Sequence, residues 1–308
     1  MQHYWSLDDV HLDGAWLTVG SFDGVHLGHQ SIVRTLVAGS KGEKLPAVLL
    51  TFHPHPAVVL NKRKNAYYIT LPEERAMLLG DLGVDVVITH LFNEAVASMT
   101  ARQFVEQLTY HLKFTQIIIG ENFALGKDRE GDITTLRRLG KEFGFKVTAI
   151  PPVINGDEIV SSSRIRSRLS EGDVRSAARL LGRPFRMTGQ VVHGDARGKT
   201  IGIPTANLEV DPDRAFPRMG VYATRALVKG ESWIAVANVG YRPTFESGQA
   251  DPRVEVHILD FNSDLYGQTI NLDFIDYLRE EQKFSSIQAL IQQIAIDISK
   301  ARSILAGV

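Results

Sequence analysis

The sequence contains no cysteine, which excludes disulfides, thiolate nucleophiles and Cys-ligated zinc sites together. It also lacks an excess of charge of either sign: 34 Lys and Arg stand against 35 Asp and Glu, a formal net charge of −1. A duplex nucleic-acid binder held by phosphate neutralisation needs a clear surplus of basic residues, so that class is disfavoured and only local basic pockets stay open. Long apolar runs are missing too, with no uncharged stretch approaching the roughly 18 residues that span a bilayer. Met1 to Leu12 carries Asp8 and Asp9 and no basic region ahead of an apolar core, so it does not read as a signal peptide. There is no internal repeat and no low-complexity tract. A soluble, cytoplasmic protein is expected.

What is present is an ordinary globular composition, 44% hydrophobic and 22% charged over 308 residues. At roughly 150 residues per domain, this length suggests two domains. In the first half, apolar runs at Ala15–Val19, Ala47–Phe52, Asp85–Thr89, Gln116–Gly120 and Lys146–Ile150 read as strands. Helical spacing separates them at Gly28–Ala38, Pro72–Leu82, Thr100–Leu112 and Thr134–Phe143, with Pro72 and Thr100 suited to helix starts. Strands joined by such helices imply crossover connections and a doubly wound parallel sheet, a Rossmann-like layout. Ligands of these sheets bind beyond the carboxyl ends of the strands, which directs attention to the residues after Val19, Phe52 and Gly120.

After Arg183-Pro184 strand follows strand: Arg186–Val192, Val221–Val228, Ser232–Val239, Val254–Phe261 and Thr269–Leu278. That order predicts an antiparallel barrel or sandwich. One amphipathic helix closes the chain, with Ile287, Leu290, Ile291, Ile294 and Ile298 on one face. Short helical stretches at Ser162–Leu169 and Val174–Leu181 bridge the halves, and the domains are taken as residues 1–183 and 184–308.

The segment Gly20-Ser-Phe-Asp-Gly-Val-His-Leu-Gly-His29 follows a predicted strand and opens a predicted helix. Glycines there let backbone approach a ligand, and the free amides of a helix N-terminus attract phosphate. His26 and His29, three residues apart, share one face of the first turn and can donate to a triphosphate. Spacing alone also allows an ordinary glycine turn with two incidental histidines.

His-x-Gly-His after a first strand resembles the signature of the nucleotidyltransferase superfamily. The longer form, from Gly20 through Phe22, Asp23 and Gly24 to His29, is similar to the FAD synthetase module of bacterial bifunctional riboflavin kinase/FMN adenylyltransferases. Thr51-Phe-His-Pro-His-Pro56, Gly120-Glu-Asn-Phe-Ala-Leu-Gly126 and Val160-Ser-Ser-Ser-Arg-Ile-Arg166 resemble that family's later motifs, in order. By resemblance His53, Pro54 and His55 cover the flavin or nucleotide, while Gly20, Phe22, Asp23, Gly24, His26, His29, Asn122, Ser162, Ser163 and Arg166 contact ATP, with His26 and His29 catalytic. A His-x-His pair also has metal-ligand chemistry, but no third ligand of suitable spacing appears. Serines ahead of Arg164 and Arg166 equally suit a helix N-cap with solvated arginines. One departure is Leu125, where the family commonly has Phe.

In the second half, Gly194-Asp-Ala-Arg-Gly-Lys-Thr200 fails as a P-loop: only three residues separate Gly194 from Gly198, and no helix can readily start at Ile201-Gly-Ile-Pro204. Pro204-Thr-Ala-Asn207 resembles the riboflavin kinase signature, although alone it reads as a proline turn with two polar residues. The resemblance implies Thr205 and Asn207 as Mg²⁺ and phosphate ligands, and Gly194, Gly198 and Lys199 as an ATP-binding loop. Oxygen ligands suit that ion. Gly220–Ala223, Asn238–Phe245, Val254–Phe261 and Leu278–Phe284 continue the likeness. Alternation along Val254-Glu-Val-His-Ile258 sets Glu255 and His257 opposite the apolar face. By resemblance Glu255 is the catalytic base of the kinase and Arg279 contacts nucleotide or flavin, while His257 is read as a bystander.

The resemblance runs from about Val19 to Phe284. It implies an N-terminal Rossmann-like nucleotidyltransferase domain and a C-terminal antiparallel β-barrel kinase domain ending in a helix. Riboflavin, ATP and Mg²⁺ would yield FMN, and a second ATP would convert FMN to FAD. Nucleic-acid and membrane partners are not expected. The rivals are an adenylyltransferase for another substrate, a kinase with weak adenylylation and a flavin carrier without turnover; the last would not require His26, His29, Thr205, Asn207 and Glu255 together. Lys62-Arg-Lys64 beside Tyr67 and Tyr68 is read as a solvated loop near the flavin entrance.

Overall fold

Alternating helices and strands make the first part of the chain a parallel sheet, and the run of strands makes the rest a barrel. The structure, a computed structural model, describes residues 1–60, 67–194, 202–243 and 250–306, and at 241–243 and 250–252 the backbone path alone. It divides into two compact units, Met1–Ser162 and Ser163–Val308.

Unit one is a six-stranded parallel sheet. Its strands are β1 (Gln2–Tyr4), β2 (Ala15–Val19), β3 (Ala47–His53), β4 (Val86–Leu91), β5 (Phe114–Gly120) and β6 (Lys146–Ile150), in the spatial order β1-β4-β3-β2-β5-β6. The helices are α1 (Leu27–Glu43), α2 (Pro56–Val59), α3 (Pro72–Asp81), α4 (Glu94–Ser98), α5 (Ala101–Leu112) and α6 (Ile133–Phe143). Central strands covered on both faces need apolar residues at successive positions. Val48, Leu49 and Leu50 of β3 are accordingly all buried, Leu49 in the cluster under α1 and α3, Val48 and Leu50 in the one under α5 and α6. Thr100 caps α5 in a capping box with Gln103, as its place before the helical pattern predicts. A small hairpin, β7 (Ile154–Asn155) and β8 (Glu158–Ile159), follows β6.

Unit two opens within α7 (Ser162–Glu171), from its second residue, and continues through α8 (Val174–Leu181) into a closed antiparallel barrel. Around it run β10 (Ala206–Glu209), β13 (Ala250–Ile258), β12 (Glu231–Pro243), β11 (Gly220–Val228), β14 (Thr269–Arg279) and β9 (Phe185–Val192). Closure removes the unpaired strand edges of an open sheet. Helix α8 packs on β14 and β9, and α9 (Ile287–Leu305) packs across β11, β12 and β14.

The last helix seats only the C-terminal part of the face expected, from Ile298 onward. Ala301 and Leu305 are buried, with Ile298 and Ile304 beside them against Val221, Ala223 and Val236. Ile287 and Ile291 are exposed, because the contact with the barrel lies toward the C-terminal half of the helix.

Candidate active sites

In unit one the chain runs from β2 through β3 to β4 on one side, then returns to place β5 and β6 on the other. The topological switch point therefore lies between the carboxyl ends of β2 and β5. A cleft of about 930 Å³ opens there, its lining including Gly20, Ser21, Phe52, His55, Asn122 and Leu125.

The loop from Gly20 to His26 turns sharply, with Phe22, Gly24 and Val25 all in the left-handed region. For Phe and Val that conformation costs energy, so the surroundings must impose it. Asp23 does much of this work. It is fully buried, and its carboxylate accepts from the backbone N–H groups of Ile69 and Thr70, each at 3.0 Å. The Gly24 N–H in turn donates to Thr70 Oγ1 at 2.9 Å, and Ser162 Oγ donates to the Asp23 carbonyl at 2.8 Å. Asp23, expected at the nucleotide, thus has its carboxylate turned into the protein.

His26 caps α1, its Nδ1 accepting from the His29 N–H at 3.3 Å, which leaves the proton of the neutral ring on Nε2. The two imidazoles stack, 3.6 Å between centroids and 16° between planes, with Phe22 on the other side of His29 at 4.8 Å. Burial pushes the His29 pKa well below the ordinary value, helped by His26 and Arg75. Its Nδ1 is closed off from solvent and has no hydrogen-bond partner among the described residues.

His53 is the last residue of β3, with its ring 5.5 Å from that of Tyr68. Pro54 leads on to His55, which caps α2 through Nδ1 and donates its backbone N–H to the Tyr68 hydroxyl at 2.8 Å. Of these three residues, only His55 lines the cleft. Asn122 is exposed beyond β5, and its carbonyl accepts from Arg129 at 2.9 Å. Leu125 is buried in the cleft wall, bridged in backbone to Gly131. Ser163 and Arg166 stand in α7, within unit two, the first exposed and the second half-buried. The basic tract Lys62-Arg-Lys64 lies outside the described residues.

In unit two the strand register gathers motifs that lie far apart in sequence. Asn207 of β10 is the direct partner of Glu255 on β13, and Glu255 that of Asn238 on β12. Paired residues share a face of the sheet. Asn238 also pairs with Val221, which packs under α9, so this line runs over the outer surface of the barrel. Val254 and Val256 point inward and are buried, as the alternation requires.

Arg253, which sequence reasoning passed over, bridges two of these residues. Its guanidinium donates to Asn207 Oδ1 and lies 2.9 Å from Glu255 Oε1. Two residues before a predicted acid on one strand, a basic residue necessarily shares its face, and that spacing was the available signal. Gly194 is required by close approach, since a Cβ there would fall 2.0 Å from Asn207 Nδ2. Thr205 is half-buried next to β10, and His257 Nδ1 donates to the Pro204 carbonyl at 2.7 Å. Gly198 and Lys199 lie outside the described residues.

Arg279 is tied to α9. Its Nε and NH2 donate to Asp297, which is almost fully buried, at 2.9 and 2.8 Å, and its NH1 donates to the Glu280 carbonyl at 2.9 Å.

A glycine and histidine loop at the switch point of a parallel sheet, together with an Asn/Glu pair on an antiparallel barrel, defines a two-module enzyme of nucleotide-dependent group transfer. The FAD synthetase family model matches residues 9–164, and the riboflavin kinase model matches residues 181–305. The bifunctional riboflavin kinase/FMN adenylyltransferase of Listeria monocytogenes is 37% identical over 293 residues, covering 94% of this chain and 92% of the relative. Its counterpart in Escherichia coli K12 is 36% identical over 299 residues, covering 96% and 95%. A crystal structure described as a macrolide-efflux protein from Streptococcus pneumoniae aligns at a TM-score of 0.88 and 33% identity, covering 97% of this chain and 98% of that one. Among the described residues, no helix is long and apolar enough to cross a membrane. The chain belongs to the bifunctional riboflavin kinase/FMN adenylyltransferase family.

Proposed function

We propose that this chain carries out both reactions of its family in the cytoplasm, through modules dividing near Arg183-Pro184. In the kinase module, Glu255 accepts the proton of the terminal ribityl hydroxyl of riboflavin as that oxygen attacks the γ-phosphorus of ATP, releasing ADP and FMN. Gly194, Gly198 and Lys199 belong to the ATP loop. In the adenylyltransferase module the FMN phosphate is already an anion and needs no base. Its oxygen attacks the α-phosphorus of a second ATP, pyrophosphate leaves and FAD forms.

The loop from Gly20 to Gly24 takes the triphosphate on its backbone, and His26 and His29 donate to the charge that develops. Asn122, Ser162, Ser163 and Arg166 complete the ATP contacts, with Asp23 fixing the loop. His53, Pro54 and His55 form the flavin side, and Arg279, held by Asp297, contacts nucleotide or flavin in the kinase module.

Thr205 and Asn207 fit Mg²⁺: both offer neutral oxygens, and Asn207 Oδ1 already faces a cation, Arg253, beside a carboxylate. When bound, that ion supplies charge neutralisation for the transferred phosphoryl group.

The observation that carries the reading is the pairing of Asn207 with Glu255 in one unit and the stacked histidines at the switch point of the other. A chromatographic time course with riboflavin, excess ATP and Mg²⁺ tests it. FMN should appear first and FAD after it. FMN alone would remove the adenylylation, and binding without conversion would leave a carrier.

A further inference from the structure

Arg75, in the first turns of α3, is fully buried. Its NH1 donates to the Ser21 carbonyl and, at 3.1 Å, to Thr51 Oγ1. Thr51 Oγ1 donates to the same Ser21 carbonyl at 2.9 Å. The carboxyl ends of β2 and β3 are thereby tied together behind Ser21, which lines the cleft. The other guanidinium donors, Nε and NH2, have no hydrogen-bond partner among the described residues.

A buried cation with unmet donors is expensive, and an apolar side chain of similar volume usually serves a core better. Methionine would fill the space without that cost, so packing gives no reason for the charge. Position does: Arg75 stands behind the loop that receives the triphosphate, and a guanidinium stays protonated even when burial lowers its pKa, as here. Inside a protein, such a charge is screened far less than at the surface.

We propose that Arg75 is a positioning residue for adenylyl transfer, setting the Ser21 end of the glycine loop and supplying a fixed positive charge behind it. The proposal rests on the adenylyltransferase reading of this unit. The groups that act on Arg75 are Asp23, Tyr68 and Glu73, all favouring its charge, while Arg75 in turn opposes protonation of His3 and, with His26, of His29.

The test uses the full chain carrying Arg75→Met, Arg75→Lys or Thr51→Val. FMN formation from riboflavin reports on the intact second unit and thermal unfolding on the fold. FAD formation from supplied FMN reports on the function, and NMR titration reports on the histidines. Arg75→Met should lower kcat for FAD about 10- to 100-fold with kinase activity and unfolding temperature preserved. It should also raise the titration midpoint of His29, because the opposing cation is gone. Arg75→Lys should restore that titration and part of the rate. Thr51→Val should slow FAD formation without moving the titration.

Unchanged FAD formation in Arg75→Met would overturn the proposal, as would a rate loss matched by loss of folding while Arg75→Lys keeps full activity and an altered titration. If wild-type protein makes no FAD, the adenylyltransferase reading fails instead, and the titration still reports whether Arg75 acts on His29.

Discussion

The rings of His26 and His29 lie face to face, 3.6 Å apart and 16° from parallel, at the first turn of α1. Two imidazoles that close cannot both be protonated cheaply, and the burial of His29 favours the neutral form further. Each neutral ring still has one N–H to donate, so the pair can meet incoming phosphates without carrying full charge.

A stability prediction follows from the depressed pKa values of His29, His3 and His90, each lowered chiefly by burial. In the unfolded chain a histidine takes its proton near pH 6.5. Below that pH the unfolded state binds more protons than the folded one, so the stability present above 6.5 is lost as pH falls through the folded values. Thermal unfolding of the first unit should therefore drop between pH 7.5 and 5.5. His29→Gln should flatten part of that slope; an equally steep slope would count against the assignment.

Asp23→Ala strips the acceptor from two buried N–H groups, those of Ile69 and Thr70. Leaving buried donors unmet costs about 1–3 kcal/mol each. The unfolding temperature of the first unit should fall and FAD formation with it, while FMN formation continues. A stable variant with normal FAD output would show that the loop does not depend on this carboxylate.

Gly194→Ala would drive a methyl group into the Asn207 amide. KM for MgATP in the kinase reaction should rise about tenfold, the scale of a small misplacement, with FAD formation from supplied FMN unaltered. Unchanged kinase kinetics would remove Asn207 from the ATP site.

Leu125, where the resemblance implies Phe, occupies the cleft wall. Leu125→Phe adds an aromatic face worth about 0.5–1.5 kcal/mol when it stacks. KM for FMN should fall a few-fold and riboflavin phosphorylation should stay as it was; a higher KM would mean that flavin does not reach this wall.

The parts of the fold that repeat a period were legible. The register of Val254, Val256 and Ile258 inside and Glu255 and His257 outside followed from alternation alone, and α8 runs over the residues expected. Short elements escaped. Strand β10 is four residues following Pro204, too few to show a period, yet it closes the barrel and carries Asn207. Strand β1 joins the sheet only by pairing with β4, a long-range contact without a local signature.

At the sites, the residue types were readable and their directions were not. Nothing local says that Asp23 turns inward to hold Ile69 and Thr70, or that Arg279 is fastened by Asp297 from the last helix. Arg75, in the first turns of an amphipathic helix, reads as a solvated cation until the fold buries it.

The most direct measurement is a pair of single-site variants, Glu255→Gln and His29→Ala, each assayed for FMN formation from riboflavin and for FAD formation from supplied FMN. Loss of the base should cut the first reaction about 10²- to 10⁴-fold and spare the second. Loss of the histidine should cut the second about 10²- to 10³-fold and spare the first. If either variant loses both reactions while remaining folded, or neither loses its own, the division of labour between barrel and sheet is wrong.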